Sequence, residues 1–506
     1  MNRPATLPFA PAAVSATVGR RRAARTTLGL GLPVVLSLAL IYVFAGPAAA
    51  GEYGPNDFRI SSMGPDATAN LGARNPKVAY SETSDRILVV WRGDDSAETS
   101  FGNANFEIFG RLINGSTLEP VGAEFQISQM GGASFEAGLP NVAWDSTNDR
   151  FLVVWAGTDD RPGATPDEEE IYGRIVAVDG SLVSNDEIEI SDVGPAGNID
   201  FSANLPNVTY NPDADEFLVV WYTFDFSGFI GAPRVGDSEV WAQRVSASGS
   251  LLGSETLVST SGPNVGGTMY DDYGVGRPSV VYNTTRQEYF VVWDGDDDQG
   301  ALVLGEKEAF GRRLQGSTAA PLGTEQIRIS NIGVDGDNSL DAFVTRVAWD
   351  STRDRYLVVI QATDGPSTAY PTADPADREM WIRFVDGDGT VMGTDDTRIS
   401  FRTGPDGTGF TYFAAFPAVA YNRATDEFAV VWDSEDNQQG LVDNENEIFL
   451  RRIDAATMNP IGSAEEQITD VGGANGDADY DADFAAIVAL PAAQSFFVVW
   501  QGDDNE

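Results

Sequence analysis

The 506-residue chain contains no cysteine and no histidine. The first absence excludes disulfide staples and thiol nucleophiles, and the second excludes Ser-His-Asp triads and imidazole-built zinc or haem sites. Lysine is nearly missing, at Lys77 and Lys307 only, so Arg supplies almost all positive charge. Against 32 Lys and Arg stand 76 Asp and Glu, a formal net charge of −44 at pH 7. A polyanion of this kind lacks the basic clusters that nucleic acid or anionic lipid requires. Zinc, haem and nucleotide cofactors are not expected. What is left is carboxylate, hydroxyl, guanidinium and backbone chemistry. With 42% apolar residues the chain can build a large core, and without disulfides it depends on core size and closure for stability.

The N-terminus reads as an export leader. Arg20, Arg21, Arg22 and Arg25 precede an apolar run from Leu28 to Phe44, and Ala48, Ala49 and Ala50 offer a small-residue cleavage site. Pro33 interrupts the run, which argues against a retained anchor. Ala23 and Ala24 follow the arginines where a twin-arginine signal prefers bulky apolar residues, so general secretion is expected. Residues 1–50 are therefore assigned to a signal peptide cleaved after Ala50, and residues 51–506 to a protein that is secreted or at the cell surface, with no membrane attachment after cleavage. Its acidic surface promotes solubility.

Self-alignment of the mature region reveals seven repeats. An opening strand recurs as PKVAY, PNVAW, PNVTY, PSVVY, TRVAW, PAVAY and AAIVA, with Val78, Val142, Val208, Val280, Val347, Val419 and Ile487 at its centre. A short polar turn such as DSTND leads into an apolar strand ending at Trp91, Trp155, Trp221, Trp293, Ile360, Trp432 and Trp500. After a longer acidic loop comes a third strand such as EIFGR, then a Gly-containing turn and a fourth strand such as EFQIS. The second strand is apolar throughout, which predicts burial of both its faces. Four antiparallel strands covered on both sides by their own copies make a propeller blade. The predicted fold is all-β, a seven-bladed β-propeller over residues 51–506. Tandem sandwiches of this size would be too small to stand alone without disulfides.

Strand phase predicts how the ring closes. DFRIS, Asp57 to Ser61, matches a fourth strand, whereas the last repeat stops after its second strand with Glu506 at the place where a third strand opens. The expectation is that the first strand supplies the outer edge of blade seven, and that the chain is a C-terminally truncated fragment lacking that blade's third strand.

The pattern P-x-V-A-Y, F-L-V-V-W-x-x-x-D, E-I-F-G-R-R and E-F-x-I-S resembles a tandem repeat of large secreted bacterial proteins, adhesin-like and calcium-binding in grouping. The resemblance covers nearly all of residues 51–506 and implies a β-propeller with no defined activity attached. It does not extend to WD, kelch, sialidase Asp-box or FG-GAP signatures.

Candidate chemistry gathers on one rim, where the long loops joining second to third strands and blade to blade emerge. Asp95, Asp159, Asp225, Asp297, Asp364, Asp436 and Asp504 each follow the end of a second strand by four residues. Glu107, Glu170, Glu239, Glu308, Glu379 and Glu447 each open a third strand. Neighbouring strands running in opposite directions should bring an Asp and a Glu together, an oxygen-rich site suited to Ca²⁺. The alternative is structural: Asp binds loop N–H groups and Glu pairs with Arg111, Arg174 or Arg312. Two further acidic clusters, Asp294, Asp296, Asp297 and Asp298, and Asp477, Asp479, Asp481 and Asp483, read equally well as solvated loops. The repeated Trp reads as core. Loop aromatics, Phe224, Phe226, Phe229, Tyr270, Tyr273, Phe410, Tyr412 and Phe413, are candidates for stacking on sugars. The function expected is an interaction or adhesion module for an extracellular protein or glycan ligand, calcium-stabilised and monomeric, with no catalytic constellation. The alternatives are a carboxylate-based glycoside hydrolase or carbohydrate-binding propeller, and a purely structural ring within a longer surface protein.

Overall fold

A computed structural model describes residues 36–39, 58–63, 72–94, 106–130, 136–158, 168–184, 186–194, 201–225, 237–260, 274–297, 302–303, 305–333, 335–363, 378–401, 413–435, 445–469, 471 and 481–503. All lie in one compact unit, Val34–Glu506.

The repeats fold alike. In the first, Arg74–Ser81 pairs with Arg86–Gly93, that strand with Glu107–Asn114, and the third with Pro120–Gln126, all antiparallel. With this one there are six such sheets in sequence, numbered here blades 1 to 6. In the sixth, Asn459–Pro460 and Glu466–Gln467 share the outermost place. The seventh repeat is an incomplete blade, a strand pair of Ala482–Leu490 and Ser495–Asp503. The architecture is thus an all-β propeller of four-stranded antiparallel blades, six of them complete.

The polar turns close the first hairpins through a left-handed residue, with φ of 54° at Asp85, 52° at Asp149 and 60° at Asp426. Asp tolerates this conformation better than most side chains. The same Asp binds the adjacent blade: Asn148 Nδ2 donates to Asp215 at 2.8 Å, and Arg353 Nη1 donates to Asp426 at 2.6 Å.

Second strands are buried on both faces, as their composition predicts; Phe151, Leu152, Val153, Val154 and Trp155 are all fully buried. Seven hydrophobic clusters result, one at each junction between successive repeats. Leu88, Val90 and Ile108 of blade 1 meet Val153 and Trp155 of blade 2. Phe497 and Val499 of the strand pair meet Val89 and Trp91 of blade 1, with Ile60 among them. Arg111 Nη1 donates to the Ile60 carbonyl at 2.6 Å, just as Arg174 Nη1 reaches Ile127 at 2.8 Å and Arg312 Nη1 reaches Val258 at 2.9 Å. Ile60 therefore stands where the fourth strand of a blade preceding blade 1 belongs, in agreement with the DFRIS match.

The open edge of Ser495–Asp503 is paired with Leu36–Ala39, in the register Leu36↔Asp503. These four residues fall inside the segment that reads as an export leader. An unpaired strand edge offers a row of N–H and C=O groups to any extended segment, and here an extended run of the leader-like segment takes that place.

First strands face the axis. In each of blades 1, 2, 3, 5 and 6 and in the strand pair, the register slips before the strand centre, for example between Asn204 and Asn207. Five of these bulges carry a non-glycine residue in the left-handed region: Asn75, Leu139, Leu205, Phe416 and Phe484, with φ from 46° to 54°. Such a backbone costs about 1–3 kcal/mol per residue. It re-aims the side chain of the bulge residue, which in all but Phe484 precedes a proline, and those side chains line the axial space.

Candidate functional site

The rim glutamates act first on their own blades. Ser128, Ser191, Ser259, Ser330, Ser400 and Thr469, each two residues beyond the end of a fourth strand, donate their hydroxyls to Glu107, Glu170, Glu239, Glu308, Glu379 and Glu447 respectively. Each hydroxyl also accepts the backbone N–H that follows its Glu, as in Ile171 N to Ser191 Oγ at 2.7 Å. The second carboxylate oxygen often takes a further backbone N–H, as in Val193 N to Glu170 Oε1 at 2.7 Å and Met130 N to Glu107 Oε1 at 2.9 Å. The result is a latch fastening the fourth strand to the third. Burial pushes the Glu170 carboxyl up to about 8 and raises that of Glu308. The arginines that pair with these glutamates are Arg328 with Glu308 and Arg398 with Glu379. Arg111, Arg174 and Arg312 do not, for a geometric reason: four residues along a strand is about 13 Å, so each reaches the preceding repeat instead.

Of the aspartates assigned to this rim, Asp297 is buried and accepts from Gln326 Nε2. Asp95, Asp159, Asp364, Asp436 and Asp504 lie outside the described residues, as does the side chain of Asp225. Among the described residues no group of three or more acidic side chains is placed to hold a metal ion. Asp298, Asp477, Asp479 and the aromatics Phe226, Phe229, Tyr270, Tyr273, Phe410 and Tyr412 also lie outside, as does the side chain of Phe224.

A different constellation lies toward the axis on the same face. A chamber of ≈ 580 Å³ is lined by residues of blades 3 to 6 and the strand pair. Its aromatic surfaces are built in pairs. The rings of Phe416 and Phe484 lie 4.4 Å apart at 34°, and the guanidinium of Arg277 sits 4.8 Å over Phe416. Arg378 lies 3.9 Å over Phe343 and 5.2 Å from the ring of Phe413. Such cation–π contacts hold guanidinium groups flat against the wall.

Four carboxylates line the chamber, Asp294, Asp433, Glu435 and Asp483. Asp294 follows the closing Trp293 of blade 4; it is 8% exposed, and its Oδ1 has no hydrogen-bond partner among the described residues. Burial pushes its carboxyl up to about 7, against the opposing pull of Arg277. Gly276 makes room for it: a Cβ there would lie 2.0 Å from Asp294 Oδ2. Asp433, at the corresponding place in blade 6, accepts the Phe484 N–H at 3.3 Å. Asp483 accepts from Asn446 Nδ2 at 3.1 Å. Burial and the neighbouring Asp483 hold Asp433 well above the usual carboxylate range, and burial takes Asp483 to about 6. Asp294 and Asp483 were legible in the sequence only as members of acidic clusters. In the fold both are wall residues, and a buried orphan carboxylate oxygen facing a cavity marks a site for a hydrogen-bond donor.

Beneath the chamber the axis narrows to a throat of ≈ 250 Å³, bounded by the first strands of all six blades and of the strand pair. Leu205, Arg277, Phe416 and Phe484 line both spaces. Lys77 and Arg346 project into the throat beside Arg277.

No family model matches the chain, and no curated protein sequence matches it. Among solved structures the chain is similar to the GH93 alpha-L-arabinofuranosidase of Fusarium graminearum, with 12% identity over 72% of this chain and 92% of that one and a TM-score of 0.42. It is similar to the NanB sialidase of Streptococcus pneumoniae, with 10% identity over 88% and 70% and a TM-score of 0.40. It is also similar to Kuenenia stuttgartiensis hydrazine synthase, with 9% identity over 87% and 94% and a TM-score of 0.43. Proteins of such different chemistry, matched this distantly, assign neither ligand nor reaction to this chain.

Proposed function

We propose that this chain is a secreted, seven-bladed propeller that binds carbohydrate in its axial chamber. The observation that carries the reading is Asp294, a buried carboxylate with an unpartnered oxygen, set in a wall of aromatic faces. Sugars present an apolar ring face and a fringe of hydroxyl donors. Phe416, Phe484 and Phe413 offer the stacking surfaces, and Asp294, Asp433, Asp483, Asn446 and Gln361 offer acceptors and donors beside them. The leader-like N-terminus supports export, and the seven junction clusters support a seventh blade. A glycan array with purified protein tests the reading. Binding should be lost in Asp294→Asn and Phe416→Ala variants that melt cooperatively and remain folded at the temperature of the assay, and an array without signal would overturn it.

A second reading, a glycoside hydrolase, is favoured by the Asp433–Asp483 pair. Neighbouring buried acids hold a proton toward neutral pH, the condition for a general acid beside a carboxylate base. Release of reducing ends from an array-positive glycan, abolished in Asp433→Asn, would establish it. Binding without release leaves the module as a lectin-like one.

A further inference from the structure

In a chain of net charge −44 with two lysines, three cations meet in one narrow space: Lys77 from blade 1, Arg277 from blade 4 and Arg346 from blade 5. None of them is within 4.0 Å of a carboxylate among the described residues. Their direct contacts are modest. Lys77 Nζ donates to the Pro76 carbonyl at 3.0 Å, Arg346 Nη1 donates to the Thr345 carbonyl at 2.8 Å, and Arg277 rests on Phe416. The positions are not repeated: the residues matching Lys77 and Arg346 elsewhere are Asn141, Asn207, Ser279, Ala418 and Ala486. The fold therefore does not require charge there.

Like charges confined together without counter-charges are unfavourable unless something offsets them. Burial and the two arginines lower the Lys77 amine to about 7, and burial with Arg277 lowers Arg346 to about 10. Asp294, which acts electrostatically on Arg277 and Arg346, and Asp433, which acts on Arg277, are both raised by burial, and neither forms an ion pair with these arginines. The throat has the donors for an oxyanion, and among the described residues that line it there is no carboxylate to supply one.

We infer that the throat is an oxyanion subsite, and that the chamber's ligand is an acidic sugar whose carboxylate or sulfate enters between Lys77, Arg277 and Arg346 while its ring lies on Phe416 and Phe484. This inference rests on the carbohydrate reading above. The guanidinium groups supply paired donors matched to an oxyanion, and the channel walls focus their field against the repulsion of the acidic surface.

Calorimetric titration of the full chain with a uronic-acid oligosaccharide, a sulfated one, a neutral one of equal length, and sodium acetate or sulfate alone tests the inference. The expected result is that one acidic oligosaccharide binds more tightly than the neutral one, and that Arg346→Met and Lys77→Met each weaken it about tenfold or more, the scale of a lost hydrogen bond to a charged group. Neutral-sugar affinity should be unchanged in those variants. Melting curves guard against a misfolded variant: removing one of three unpaired cations should leave the unliganded melting temperature equal or higher, and a lower one with unchanged affinity would make the cations structural and overturn the inference. Equal affinity for neutral and acidic sugars would overturn it while leaving the carbohydrate reading intact. Binding of acetate or sulfate with no binding of any sugar would overturn the carbohydrate reading and the acidic-sugar ligand, and would leave the throat as a site for a free anion.

Discussion

The rim and the axis of this propeller are built from the same repeat and obey opposite rules. At the rim each complete blade has the same Glu with the same Ser or Thr partner, from Glu107 with Ser128 to Glu447 with Thr469. At the axis the backbone is repeated and the side chains are not. The residue that enters each first strand runs Asn75, Leu139, Leu205, Arg277, Val344, Phe416, Phe484, and the residue after each closing Trp or Ile runs Arg92, Ala156, Tyr222, Asp294, Gln361, Asp433, Gln501. A residue present in every copy answers a need that every copy has, which is folding. A position whose geometry is fixed while its chemistry varies answers a need of the ring as a whole. Substitutions at the rim and core should therefore cost stability and spare binding, and those at the axis the reverse.

The largest break in that contrast is expected from the core. Trp155 is fully buried between blades 1 and 2, so Trp155→Ala should cost about 3–5 kcal/mol in denaturant unfolding. A cost under 1 kcal/mol would show that the blade junction relaxes around the gap. The latch should rank second. Ser191→Ala strips one partner from the buried Glu170 and the acceptor from the Ile171 N–H, a loss of about 1–3 kcal/mol. Ligand binding should not change in either variant, and a loss of binding in a still-folded Ser191→Ala protein would erase the distinction between rim and axis.

The axis, together with the Glu170 latch, should respond to pH where the apolar core does not. Asp294 titrates near 7 and Glu170 near 8 in the folded chain, both above the ordinary carboxylate range. Between about pH 5 and 7 the folded state holds protons that the unfolded chain has released, so stability falls as pH rises through that window. Lys77, lowered to about 7, acts in the other direction, but only above pH 7, where the unfolded lysine still carries its proton. Asp294→Asn should flatten the fall and raise the melting temperature at pH 7, while the general repulsion of the acidic surface, common to both proteins, cancels in the difference. Parallel curves would mean that Asp294 is solvated in solution.

The fold was legible in the sequence because its signals are periodic. Alternation, wholly apolar second strands and the spacing of Val78, Val142 and Val208 all report a local geometry that each copy must satisfy alone. The leader-like run at Leu36–Ala39 gave no sign of pairing with Ser495–Asp503, since an open strand edge selects extended backbone and not a motif. The candidate site was missed for a related reason. Recurrence points to Glu170 and its counterparts, whereas Arg346 and Phe484 occupy columns without a repeated residue and Asp294 reads only as one member of an acidic cluster. Those columns become a single surface only when seven first strands meet at one axis, a relation between residues as distant as Lys77 and Ala486. The bulge at the start of the first strand is equally hidden, although the unlike residues at that position, from Asn75 to Phe484, are its trace.

The smallest effect is expected from calcium. Each rim Glu already has its hydroxyl partner, and several have a backbone N–H as well, so a cation would have to displace a latch to reach the carboxylate. The calcium proposal then rests on the Asp half of each pair, of which Asp297 already accepts from Gln326. A single independent site occupied at ten times its dissociation constant would add about 1.4 kcal/mol, enough to displace a melting curve. We expect CaCl₂ to raise the melting temperature no further than NaCl at matched ionic strength, because both only screen the acidic surface. An increment that Mg²⁺ fails to reproduce, and that Asp297→Asn removes, would give the rim a metal site and make it functional as well as structural. In that case the contrast with the axis would narrow from function against folding to one ligand class against another.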